Sequence, residues 1–240
     1  MTITHAPETI TGPFLDDPAL SSTAWALCDV EKVRIAMENR VRQLTRAEVD
    51  EDGVLRGAGL TEDHPQVASL MSISESLADL EKEATKNLQK AMKAHLLGPF
   101  VKQAKGVGEK QAARLLAAIG DPYWNVADNR PRSVSELWAY CGMHVVNGEG
   151  ARRRKGVKSN WSAEAKMRAY LIATSIVKSP SSEYRKVYDE RREHTAVTRP
   201  DWTAGHSHND ALRVVAKAVL KDLWRAARDL HEGAALVADQ

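Results

Sequence analysis

Two clusters of residues in this chain could hold an anion. The first is Lys105-Gly106-Val107-Gly108, which runs directly into the alanine- and leucine-rich stretch Glu109 to Ile119. Glycines at 106 and 108 let the backbone turn tightly and come close to a partner with no Cβ in the way. The N–H groups that open the following helix would then face outward, where negative charge is favoured. Lys105 and Lys110 flank that opening with positive charge. The second cluster is Arg152-Arg153-Arg154-Lys155 with Lys158, set among Gly148, Gly150 and Gly156. Such a run neutralises several phosphates at once, and each one steepens the salt dependence of binding. A merely solvated loop would be expected to mix its charges, and this one does not.

The short apolar segment Pro99–Gln103, the Gly-x-Gly turn and the helix carrying Ala112, Leu115 and Leu116 together have the layout of a helix-hairpin-helix module. Such a module grips a nucleic-acid backbone and reads little sequence. An ordinary turn between two core helices would look the same. A dinucleotide-binding fingerprint is disfavoured, because no β-branched strand precedes the glycines.

Other groups are weighed and set aside. Cys141, His144, His206 and His208 have spacings compatible with tetrahedral zinc. No Cys-x-x-Cys supports them, Cys141 ends an apolar helix, and Gly205-His-Ser-His-Asn-Asp210 reads as a helix-capping loop. Asp121, Asp128, Asp201 and Asp210 could hold Mg²⁺, yet each stands where a turn or cap favours Asp anyway. The expectation is no metal and no cofactor. Gly-x-Ser-x-Gly, Walker and His-Glu-x-x-His motifs do not occur. Of the six tryptophans, Trp161 beside the basic loop is the candidate to stack on a base or sugar.

These clusters need elements to carry them. The chain has 240 residues, enough for one large domain or two small ones. Its 43% hydrophobic and 28% charged residues are ordinary for a globular protein. No apolar run approaches the roughly 20 residues that span a bilayer, and the acidic N-terminus is unlike a signal peptide, so a cytoplasmic protein is expected. Cys28 and Cys141 give no disulfide framework and read as reduced small hydrophobes. The net charge of +2 hides an asymmetry: residues 1–98 hold 10 Lys/Arg against 16 Asp/Glu, and residues 99–240 hold 24 against 16. That split suggests an acidic arm joined to a basic domain facing nucleic acid.

Periodicity predicts an all-α chain in three parts. Residues 1–21, with Pro7, Pro13 and Pro18, form an extended arm whose Ile3, Ile10, Phe14 and Leu15 are placed to dock on something. Residues 22–98 form an antiparallel helical hairpin, coiled-coil-like. Its first helix, from about Thr23 to Arg46, is capped by Ser21-Ser22 and striped by Val30, Val33, Met37, Val41 and Leu44. Its second, from about Pro65 to Leu97, repeats Leu70, Ile73, Leu77, Leu80, Ala84, Leu88 and Met92 at near-heptad spacing. That stripe would equally serve for packing onto the C-terminal domain. Residues 99–240 form the hairpin-module domain. In it Ser133 and Ser162 start helices, Glu183 to His194 is helical, a long helix begins near Asn209, and His144 to Val146 is a short extended piece.

From Lys105 onward the order of features resembles the C-terminal domain of the insertion-sequence transposases of the 110 family. The matching pieces are Gly106-Val-Gly108, Leu115 to Pro122, Ser133 through Leu137-Trp-Ala-Tyr-Cys-Gly142, the loop 148–156 and the closing helix from Ala211. The resemblance implies a fold and a DNA grip. Two departures argue against strand cleavage. Residues 1–98 are too short and too helical for that family's acidic N-terminal domain, and Val146-Asn147-Gly148-Glu149-Gly150 offers no serine where the family keeps its nucleophile.

The N-terminal region through Thr45, with the Gly-Val-Gly to Trp-Ala-Tyr-Cys stretch, is also similar to the recombination directionality factors of Streptomyces phages. That resemblance implies a non-enzymatic protein in a bacterial host that binds a large serine integrase and redirects its coiled coils towards excision. The integrase would supply the catalytic serine. Phe14, Leu15, Trp25, Val30, Val33 and Met37 are then the expected partner contacts, and Lys105, Gly106, Gly108, Lys110 and the basic loop contact DNA or partner. A stand-alone DNA-binding protein or transposase remnant is the alternative. Oligomeric state is left open.

Overall fold

The computed structural model describes residues 12–146 and 148–238; Ile3, Pro7, Ile10 and Asn147 lie outside the described residues. The fold is all-α, with eight helices and three antiparallel strand pairs, two residues per strand, among the described residues. The chain divides into two compact units: residues 22–90, and residues 91 onward together with those before Ser22. The division therefore falls inside the second helix, at Lys90–Ala91, and the N-terminal arm belongs to the C-terminal unit instead of standing alone.

Two long helices, α1 (Pro18–Thr45) and α2 (Pro65–Ala94), supply the residues 22–90 unit. α1 starts earlier than Ser21-Ser22 predicts. Asp17 is the cap, its Oδ1 accepting from the N–H groups of Ala19 and Leu20 at 2.9 Å, with Pro18 at the first helical position. The strand pair β1 (Glu48–Val49) and β2 (Leu55–Arg56) folds into the connection. Backbone bonds from Ala58, Gly59 and Leu60 to the carbonyls of Gln43, Arg46 and Leu44 tie that connection to the end of α1.

The apolar stripes keep the expected phase at most positions: Val30, Met37, Val41 and Leu44 on α1 and Leu70, Leu77, Ala84, Leu88 and Met92 on α2 are buried or half-buried, whereas Val33, Ile73 and Leu80 turn outward. On α1 the buried residues are Leu20, Ala24, Leu27 and Cys28, while Val33 is 49% exposed and Val30 and Met37 are half-buried. On α2 Val67 and Leu88 are buried, but Ile73 and Leu80 are 44% and 48% exposed. The inward register also takes in Ser74 and Glu81, beside Leu70, Leu77 and Ala84. Glu81 accepts from Arg34 of α1, so a charged pair occupies a place the periodicity assigns to an apolar residue.

The other unit runs α3 (Gly98–Gln103), α4 (Glu109–Ile119), β3 (Trp124–Asn125), β4 (Arg130–Pro131), α5 (Val134–Tyr140), β5 (Val145–Val146), β6 (Glu149–Gly150), α6 (Ala163–Val177), α7 (Glu183–Thr198) and α8 (Ala204–Ala238). Ser133 caps α5 in a full capping box with Glu136, and Ser162 Oγ accepts from Ala165 N–H to start α6. Arg130 and the cap hold the Glu136 carboxyl down at about 2. Leu115 and Leu116 of α4, Ile172 and Ile176 of α6, and Val215, Val219 and Leu223 of α8 form the centre of the core.

Gly106 has φ +92°, and a Cβ there would sit 3.1 Å from Ile176 Cγ1 and 3.2 Å from Ile176 Cα. Gly108 has φ +56° but faces open space. Gly106→Ala is therefore expected to destabilise by more than about 1 kcal/mol, since it adds strain at positive φ to a clash with a core helix. Gly108→Ala carries the backbone strain alone. Thermal melts of the two variants should rank them in that order; equal losses would show that Ile176 is not pressed against the turn.

Candidate functional site

Within the Gly-Val-Gly turn, the close approach that the glycines permit is made to the chain's own core. Val107 is 2% exposed, Gly106 lies against Ile176 and Ser179, and the Lys105 carbonyl accepts from Ser182 Oγ at 2.5 Å. The first turn of α4 already carries the Glu109 carboxylate, with Lys93 Nζ 3.7 Å away. A helix N-terminus neutralised by its own acid is a weaker seat for phosphate. Lys105 and Gly108 stay exposed, and Lys110 is half-buried.

Phe14 and Leu15, expected to meet a partner, are instead held within the chain's own C-terminal unit. Leu15 is 2% exposed, and the Phe14 ring lies 4.3 Å from that of His231 on α8. The anchor is Asp121, which is fully buried. Its Oδ1 accepts from Tyr123 and Trp124 N–H at 2.8 and 3.1 Å; its Oδ2 accepts from Leu15 N–H at 3.2 Å and meets His231 Nε2 at 2.7 Å. His95 holds the strap from the other side: its Nδ1 accepts from Leu97 N–H at 3.0 Å, which leaves Nε2 to donate to the Leu15 carbonyl at 3.2 Å. Arg132 closes the turn by donating to the carbonyls of Asp121 and Trp124, and burial lowers its pKa. This carboxylate is saturated with donors and has no lone pair aimed at a metal.

The zinc and magnesium candidates are scattered. Among the described residues no three His, Cys, Asp or Glu side chains converge as a metal site would require. His208 Nδ1 is bonded to the Tyr188 hydroxyl at 2.7 Å, and His206 lies edge-on to Trp202. Both lie inside α8, which begins at Ala204 under the cap of Thr203, so the predicted capping loop is helix. Cys141 is buried and its thiol is pushed up to about 12 by burial, against the opposing pull of Arg132. It is expected to resist alkylation at pH 8 until the protein unfolds, which a timed thiol titration with and without denaturant measures. Rapid native labelling of both cysteines would contradict the burial.

The basic loop keeps its predicted character. Arg152, Arg153, Arg154, Lys155 and Lys158 are all exposed, and none is paired with a carboxylate of the described residues. A concavity is lined by Arg153, Arg154, Lys155 and Lys158. Trp161 is less available than expected: Lys166 Nζ lies 4.5 Å over its ring, and a Cβ on Gly142 would touch it at 3.0 Å.

Arg152 also reaches a second, larger concavity of about 710 Å³, which sequence reasoning did not anticipate. Its walls are Gly148 to Arg152, the side of α6 that carries Lys166 and Tyr170, the α7–α8 connection with Arg199 and Trp202, and the first turns of α8. Asp210 at its rim accepts from Arg213 at 2.6 Å and Arg191 at 2.5 Å. Burial pushes the Asp210 carboxyl up, but the two arginines outweigh it and leave it lowered. Lys166 donates to the Ala151 carbonyl at 2.5 Å, and burial lowers its pKa. The available signal was the spacing of polar and aromatic residues inside otherwise apolar helices: Lys166 and Tyr170 four apart, His206, Asn209 and Arg213 three or four apart.

No helix among the described residues is long and apolar enough to cross a membrane. No family model, curated protein or solved structure matches the chain.

Proposed function

We propose that this protein is a non-catalytic recombination directionality factor that docks on a large serine integrase and turns it towards excision. The observation that carries the reading is the apolar surface of the residues 22–90 unit. Trp25, Val33, Ile73 and Leu80 are 39%, 49%, 44% and 48% exposed on its two long helices, and Val49 and Leu55 are 65% and 57% exposed in the connection. Exposed apolar residues concentrated in one small unit mark a surface for a protein partner. The unit holds 13 Asp/Glu against 9 Lys/Arg, so a basic helical partner suits it. The sequence resemblance supplies the identity of that partner. Function then follows from differential affinity, the factor stabilising whichever integrase conformation it binds more tightly. The test combines purified protein, serine integrase and the two prophage-junction sites. Recombination of those sites only in the presence of the protein supports the reading; no change of direction with any cognate integrase ends it.

The unpaired basic loop favours a second reading, a stand-alone DNA-binding protein. Under it, Arg153, Arg154 and Lys155 changed together to alanine lower affinity for any DNA sequence and reduce the slope of log K against log salt by about 3, one counterion per lost phosphate contact. An unchanged slope removes the loop from DNA binding.

A further inference from the structure

We infer that the cleft between the stretch Gly148 to Arg152, α6 and the start of α8 is a nucleotide-binding site, taking a phosphate and its attached planar base. Four cations line it, Arg152, Lys166, Arg199 and Arg213, against the carboxylates of Glu149 and Asp210. Asp210 is paired with Arg213 and Arg191, which leaves Arg152, Arg199 and Lys166 as the cations for a phosphate. Arg152 and Arg199 are exposed and form no ion pair with a described carboxylate, which leaves two guanidinium forks for one phosphate group. The Lys166 ammonium, half-buried, has one proton on the Ala151 carbonyl and keeps others for the cleft.

A simple anion trap would need no more than this, and the cleft has more. Trp202 lies in its wall with Arg199 5.7 Å over the ring, and Tyr170, 43% exposed, lies on another wall. With Arg199 over one face of Trp202, a base would stack on the other face or on Tyr170. Asn209 and Glu149 add an amide and a free carboxylate, the groups that read the donor and acceptor edge of a base. The volume of about 710 Å³ falls within the usual range of small-ligand sites, about 300–1,000 Å³. Arg153 begins the neighbouring basic concavity one residue beyond Arg152, so a strand leaving the cleft would find further cations in its path.

The experiment uses the full chain alone, with no integrase present, so its failure leaves the directionality reading standing. Two fluorescent probes are titrated: AMP, and a 5′-phosphorylated single strand of about eight adenines. Saturable binding is expected, weakened about tenfold or more by Trp202→Ala, the loss of one base stack, and also weakened by Arg199→Ala. Binding of AMP as tightly as the strand assigns a free nucleotide, and binding of the strand alone assigns a strand end. Should Trp202→Ala melt early, Arg152→Ala and Arg199→Ala, both on exposed side chains, decide the matter. The inference is overturned by the absence of saturable binding to either probe, by binding that the variants leave unchanged, or by equal competition from blunt duplex.

Discussion

Asp121→Ala is expected to cost the C-terminal unit about 3–5 kcal/mol, the usual loss when one partner of a buried polar pair is removed. Four donors converge on this fully buried carboxylate, from Leu15, Tyr123, Trp124 and His231, and alanine leaves all of them facing an apolar interior. The expected fall in melting temperature is about 10 °C or more for a unit of this size. Asp121→Asn should lose less. Its remaining oxygen still accepts from Tyr123 and Trp124, while its NH₂ faces the Leu15 N–H and forfeits that bond. Limited proteolysis separates this lock from a general core defect: the Phe14–Leu15 segment should become cleavable in Asp121→Ala at temperatures where α6 and α8 remain protected. A variant that melts within about 2 °C of the parent would mean that the strap is not held by this residue.

Asp121 also shows where sequence reasoning stops. An Asp followed by Pro122 reads as a turn residue, and it does form that turn through Tyr123 and Trp124 N–H. Its bonds to Leu15 and His231 span 106 and 110 positions, and no local pattern encodes them. The helices were legible because apolar spacing and caps such as Ser133 and Ser162 act over one or two turns. Three positions of the α1 and α2 stripes were misplaced for a related reason. Picking apolar residues three or four apart selects Val33, Ile73 and Leu80, whereas the inward face is set by what opposes it, and Arg34 with Glu81 fill part of it. A buried-looking stripe with polar residues interleaved has two candidate faces, and only the partner helix decides between them. The basic loop was legible because local charge excess needs no tertiary context. The cleft beside it was not, because its walls come from four separate stretches of chain.

Two of those misplaced positions yield the sharpest test of partner docking. Ile73 and Leu80 are seven residues apart, so they lie on one face of α2, and both are exposed. Nothing in the packing of α2 accounts for two large aliphatic side chains in water at that spacing, whereas a helical partner would cover them. Ile73→Asp with Leu80→Asp is expected to change the melting temperature only modestly, because both side chains are already about half exposed. If the protein docks on a serine integrase as proposed, binding to it should fall by at least about 30-fold, the effect of placing charge where an apolar anchor is desolvated at about 2 kcal/mol or more. Conversion of the prophage-junction sites should then be lost at protein concentrations that suffice for the parent. Val33→Asp on α1, also exposed, should act in the same direction if both helices share the contact. Full directionality switching by the Ile73→Asp, Leu80→Asp protein would place the contact elsewhere on the chain. Other exposed apolar residues of the unit, Trp25 and Ile35 on α1 and Val49, Val54 and Leu55 in the connection, would then be the next positions to carry a charge.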